Sequence, residues 1–204
     1  MNTSRNARLL VCFTMTLCGA AAILCAAGCA QDRDTMQFVE DPSVARADAQ
    51  RLAADAIEQD KKGNLDAAIT LNQRAIERYR DLPQAWFNIG LLFFEKDMAL
   101  EASNAFTKAA ELMPTDPAAK KALGDVWAKQ SYYDDASRFY LEALDRNPTY
   151  LPALRESIRA DHIRDKRTES TAERIKLALE LESDPKWREF LLRQKQLTDR
   201  VLKR

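Results

Sequence analysis

One pattern of residues recurs along this chain at an interval of 34. Ile89, Gly90, Phe93, Ala102, Phe106, Ala109 and Pro114 are followed 34 positions later by Leu123, Gly124, Trp127, Ala136, Tyr140, Ala143 and Pro148, with Trp86 leading the first set. A period of this length restricts the chain to a stack of helical hairpins, each burying its apolar face against the next. The spacing follows from how two antiparallel helices touch. Small residues at Gly90 and Ala102, and at Gly124 and Ala136, let the paired axes approach, while Phe93/Phe106 and Trp127/Tyr140 fill the wedge beside them. Pro114 and Pro148 cannot continue a helix and hand the chain to the next unit. Asp116-Pro117 then reads as an N-cap followed by a first-turn proline.

One period earlier the copy is weaker. Ala56, Gly63, Leu65, Ala68 and Ala75 keep their places, but Asp55, Gln59 and Asn72 stand where large apolar residues are expected. A first helix can start at Asp41-Pro42 and run to about Lys62, broken by the turn pair Gly63-Asn64. One period later, residues 151–183 keep the length of a helical pair. Leu154, Ile158 and Ile163 lie on one side and Ile175, Ala178 and Leu179 on the other, with the small residue and closing proline out of register. Asp184-Pro185 repeats the cap-plus-proline start, and Trp187, Phe190, Leu191, Gln194, Leu197 and Val201 follow at the spacing of one amphipathic helix. Such a helix over residues 184–204 covers the open end of a stack.

These signature positions resemble those of the tetratricopeptide repeat (TPR) family. The resemblance implies an all-α fold, a right-handed superhelix of helix-turn-helix repeats over residues 42–183 with a C-terminal capping helix. Repeats fall at about 49–82, 83–116, 117–150 and, in divergent form, 151–183. It also implies a concave groove lined by the first helix of each pair, in which a partner's segment lies. On the helix from Pro83 to Lys96, Phe87, Leu91 and Phe94 form a second apolar face at i, i+4, i+7. That face is either the floor of the groove or packing against the long first helix. The equivalent face shows Lys121, Asp125 and Ala128 in the next repeat and Arg155, Arg159 and His162 in the fourth. The expected groove therefore has an apolar centre and a basic end, suited to a peptide with hydrophobic anchors and acidic residues or a free carboxylate. The two-carboxylate clamp of chaperone-binding members is not matched: Ala53, Ile57, Ala118 and Ala122 stand where lysine, asparagine or arginine is needed, and Asn88 reads as an ordinary repeat residue.

A second signal lies at the N-terminus. Residues 1–8 carry two arginines and no acid, residues 9–27 carry no charge, and Gly28-Cys29 follows, the order of an export leader. Leu24-Cys25-Ala26-Ala27-Gly28-Cys29 resembles the lipobox of bacterial lipoproteins, with Ala26 where leucine is usual. The resemblance implies a signal peptide over 1–28, a lipid on Cys29, and a polar tether over 29–41 that holds Asp32, Asp34, Glu40 and Asp41 against Arg33. An uncleaved membrane anchor, close to the roughly 20 apolar residues a span needs, and ordinary cleavage after Ala30 are the other readings. With lipidation, Ala30 in second position implies a periplasm-facing protein at the outer rather than the inner membrane. All four cysteines, Cys12, Cys18, Cys25 and Cys29, lie in or at the end of this segment, so the repeats hold no disulfide, thiol nucleophile or cysteine metal site.

Charge is balanced, 31 basic against 31 acidic residues, which gives no reason to expect nucleic acid. Acids lead between Asp32 and Asp60, and bases lead after Leu151. This is either a set of solvated helix faces or a dipole that orients a partner or stacks copies head to tail. There is no phosphate-cradling glycine loop and no Gly-x-Ser-x-Gly, and His162, the one histidine, has no second ligand near it in sequence. No enzyme activity, metal or cofactor is expected. The expected partners are envelope proteins or peptides, with the membrane reached through Cys29. The competing reading is a self-association module that forms homo-oligomers through the Phe87 stripe and through Trp187 and Phe190.

Overall fold

The computed structural model describes residues 41–203; the leader, Cys29 and most of the tether lie outside them. Nine helices and no strands are present among the described residues: α1 (Pro42–Lys61), α2 (Leu65–Arg78), α3 (Pro83–Glu95), α4 (Ala99–Leu112), α5 (Ala118–Lys129), α6 (Tyr133–Arg146), α7 (Leu151–Ile163), α8 (Glu169–Leu181) and α9 (Pro185–Leu202). Each odd helix pairs with the even helix after it, each hairpin packs on the next, and α9 closes on α8 and α7. Contacts are between neighbours, as a one-dimensional stack requires.

The turn inside each hairpin is set by one residue in the left-handed region: Gly63 (φ 77°), Asp97 (φ 60°), Ser131 (φ 66°) and Asp165 (φ 54°). These four positions are 34 apart. The residue after each donates its backbone N–H five positions back, as Asn64 to Gln59, Met98 to Phe93, Tyr132 to Trp127 and Lys166 to Asp161, each at 2.9 Å. This bond ends the first helix in a Schellman-type cap. Glycine is free to adopt that backbone, and aspartate tolerates it better than most residues do. The fourth hairpin therefore keeps the period at its turn.

Within hairpins the small residues have a sharper role than axis contact alone. A Cβ added to Gly90 would lie 2.7 Å from the Phe106 ring, and one added to Gly124 would collide with Tyr140. Each glycine is the seat of the partner helix's aromatic ring. At the matching place the fourth hairpin has Ile158 and Ile175, both fully buried in one cluster. Volume removed from the even helix is returned on the odd one, which keeps density constant. The first hairpin has Ala56 opposite Asn72, and there the exchange is incomplete.

The fourth hairpin loses register through one extra residue. The inward positions Ala102/Phe106/Ala109 and Ala136/Tyr140/Ala143 are 34 apart, but α8 buries Thr171, Ile175 and Ala178, 35 positions on. The added residue sits in the loop before α8, where Thr168 caps the helix by accepting a bond from the Thr171 N–H at 3.2 Å. Asp161 also replaces the aromatics Phe93 and Trp127. It is buried and accepts from Thr171 Oγ1 at 2.7 Å and from Arg174, with Arg164 alongside at 3.3 Å. The α9 helix returns to the period. Asp184 caps it by accepting from Lys186 N and Trp187 N at 2.8 and 3.2 Å, and buried Leu191 takes the place of Ile89 and Leu123.

Candidate interaction face

The face shared by the first helices runs from α1 through α3, α5 and α7 to α9, and its two halves differ in chemistry. On α3, Phe87 does two things. Its ring packs on Phe106, with centroids 5.5 Å apart, and on the alanines Ala109, Ala110 and Ala119. It also walls a cavity of about 230 Å³ with Pro83, Gln84, Asn88, Met113 and Ala118. The core contact is thus with α4 and α5, and not with the long α1. Phe94 packs against the cluster of Phe106, Ala122, Leu123 and Val126 and is covered by Lys129, whose ammonium lies 4.6 Å from the ring centroid and donates to the Phe94 carbonyl at 3.0 Å.

Leu91 is different. It is 45% exposed, and so is Ile57 at 42%, one period earlier on α1. The two share a second, smaller cavity of about 40 Å³ with Asp60, Asn72 and Asn88. Asn88 borders both cavities. The described residues record no hydrogen bond from its side-chain amide.

The other half is charged and largely self-paired. Lys121 bonds Asp125 at 2.7 Å, and Asp125 also accepts from the Tyr140 hydroxyl at 3.0 Å. Burial, with Asp125 beside it, pushes the Tyr140 phenol far above its ordinary value. Burial likewise raises Glu156, against the lowering effect of Arg159 and Lys121. Arg155 grips Glu182 with two bonds of 2.6 Å. That pairing holds the Glu182 carboxyl below the usual range and lifts Arg155 above its own. Arg155 and Arg159 lie over Trp187 of α9, at 5.0 and 4.5 Å from the ring, where cation and π-face attract. Trp187 meets Phe190 edge-on at 5.6 Å, and Phe190 meets His162 at 6.1 Å.

The seven residues read from sequence as groove lining thus fall into two groups. Phe87, Leu91 and Phe94 gather on the apolar half. Lys121, Asp125, Arg155 and Arg159 line the charged half, where each has an intramolecular partner. The basic end expected from sequence is occupied by Glu182 and Trp187. Three residues escaped that reading. Ile57 could have been found by stepping Leu91 back one period. Asn72 looked like a mere departure from the pattern, and Glu182 lies 27 residues from its arginine, beyond any helical spacing rule. No group of three or more His, Cys, Asp or Glu able to hold a metal is found among the described residues, and no helix among them is long and apolar enough to cross a membrane.

Solved structures share this fold. The thermophilic TPR protein TTC0263 of Thermus thermophilus matches at TM-score 0.57 and 19% identity, over 75% of this chain and 84% of that one. The fold is a TPR solenoid. MamA matches at TM-score 0.56 and 18% identity, over 78% of this chain and 86% of its own. The first TPR domain of Spaghetti (RPAP3), solved with the HSP90 peptide SRMEEVD, matches at 0.56 and 18%, over 59% of this chain and 95% of that domain. No protein-family profile and no curated protein sequence matches the chain.

Proposed function

We propose that this protein is a scaffold for protein–protein interaction that holds a segment of its partner on the α1–α3 half of the groove, tethered to an envelope membrane by a lipid on Cys29. One observation carries the binding reading. Two cavities meet at Asn88, whose half-buried amide has no hydrogen bond within the described residues, with Leu91 and Ile57 exposed beside it. Exposed apolar side chains beside an unpaired polar group are what a peptide with apolar anchors covers and satisfies. The RPAP3 domain, solved with a peptide bound, supports peptide binding by this fold. The acidic character of that peptide does not transfer, because Arg155, Arg159 and Lys121 are already paired. Trp187 and Phe190 are likewise engaged within the chain, so they do not favour self-association as the main role.

Leu91→Asp tests the groove without disturbing the core. The variant is expected to keep its helicity and mass and to lose capture of crosslinked envelope partners. Retained capture overturns the groove. Phe87→Asp is the poorer probe because Phe87 also packs on Phe106. Intact mass from the membrane fraction tests the anchor. A chain beginning at Cys29 with added acyl groups supports it, and an uncleaved or unacylated mass removes it.

A further inference from the structure

Asn72 is the one large position of the even helices filled by a polar residue. It is 1% exposed, and its Nδ2 donates to the Ala68 carbonyl at 3.1 Å. Its Oδ1 has no partner. A buried acceptor left unpaired costs free energy, so a protein that keeps one needs a reason. The same residue lines the 40 Å³ cavity that opens beside Ile57 and Leu91, with Asp60 and Asn88 on its wall. In hairpins two and three a phenyl or phenol ring fills this place over a glycine. Here the pair Ala56 and Asn72 leaves it open.

Resting on the groove reading above, we propose that this cavity is a specificity pocket for a serine or threonine hydroxyl on the bound segment. Size and chemistry converge on that group. A volume of about 40 Å³ suits a small group of a few heavy atoms better than an aromatic ring or a long amide. One Asn72 N–H is held by Ala68 while Oδ1 is unpaired, so the pocket offers an acceptor with the second amide N–H beside it, a pairing that suits a group able to donate and accept at once. Asp60 and the Oδ1 together repel a carboxylate. A hydroxyl donates to Asn72 and accepts from Asn88, while its neighbours in the segment cover Leu91 and Ile57. Specificity from a buried polar group is steep, because an analogue without the donor leaves that group unpaired.

The full-length chain, panned against a random peptide library displayed on phage, tests this. The expected result is enrichment of serine or threonine at a fixed offset from an apolar residue. Selected peptides should bind Asn72→Leu and Asn88→Ala at least about tenfold more weakly, and alanine in place of the hydroxyl residue should do the same on the wild type. Asn88→Ala lies on the rim and keeps the test valid if Asn72→Leu misfolds. Enrichment of acidic or lysine residues at that offset, or equal binding by the variants, overturns the pocket, and equal binding assigns the cavity to a single structural water. Failure to select any peptide overturns the groove reading itself.

Discussion

The groove faces of the α1–α4 half and of the α5–α9 half of this solenoid differ in how their polar groups are paired. In the second half nearly every charge on the groove face is answered from within the chain: Lys121 by Asp125, Arg155 by Glu182, Arg159 by Trp187 and Glu156. In the first half, the Asn72 Oδ1 and the Asn88 amide have no partner within the described residues, beside exposed Ile57 and Leu91. The groove expected from sequence has an apolar centre at Phe87, Leu91 and Phe94 and a basic end in the second half. Pairing weakens that end, because a cation held by a carboxylate has little left for a guest, whereas an unpaired amide oxygen keeps its acceptor capacity.

Substitutions can break this contrast, and the largest effect on stability belongs to the paired half. Asp161→Ala strands Arg174 in a buried site, while Arg164 keeps Asp134 at 2.7 Å; loss of one partner of a buried pair costs about 3–5 kcal/mol, and urea unfolding should show a large fall in midpoint. Glu182→Gln removes the charge from the Arg155 grip and should cost about 2 kcal/mol at pH 7. Because the Glu182 carboxyl is held below its usual value, its contribution is present above the ordinary glutamate range and is lost as pH falls through the folded-state value. The difference between wild type and variant should therefore close in acid. On the open half the sign inverts. Asn72→Leu fills the cavity and removes the orphan acceptor, so thermal unfolding should shift upward, by about 1 kcal/mol. Glu156→Gln sharpens the point within the paired half. Burial raises this carboxyl, so its ionised form opposes folding above the raised value; the variant should gain a little stability at neutral pH, and the gain should vanish in acid. Leu91→Asp should move stability least, within about 0.5 kcal/mol for an exposed site, as read by the same urea curves.

The fold class was legible because glycine, alanine and proline at fixed intervals have few alternative explanations. Gly90 and Gly124 were visible in the sequence, although the ring each one seats was not. The fourth hairpin was obscured by three local events: Ile158 opposite Ile175 in place of glycine and aromatic, Asp161 in place of an aromatic, and one added residue before Thr171. Its turn at Asp165 kept the period, but left-handed positions filled by Gly63, Asp97, Ser131 and Asp165 share no residue type that a pattern search rewards. For the face, helical spacing was enough to group Phe87 with Leu91. It could not tell that one is clamped on Phe106 and the other exposed, nor that Glu182 reaches back 27 residues to Arg155, because such pairing is set by the stacking of hairpins and not by any one helix.

The exchange of volume between paired helices fixes the smallest unit in which this architecture can be edited. A graft of α7 opposite α6 would drive Ile158 into the Tyr140 ring, and α3 opposite α8 would leave Gly90 facing an isoleucine across a void. Duplication, deletion or transplantation in this chain therefore succeeds one whole hairpin at a time, and any boundary drawn through the turns at Gly63, Asp97, Ser131 or Asp165 separates two halves of a single lock.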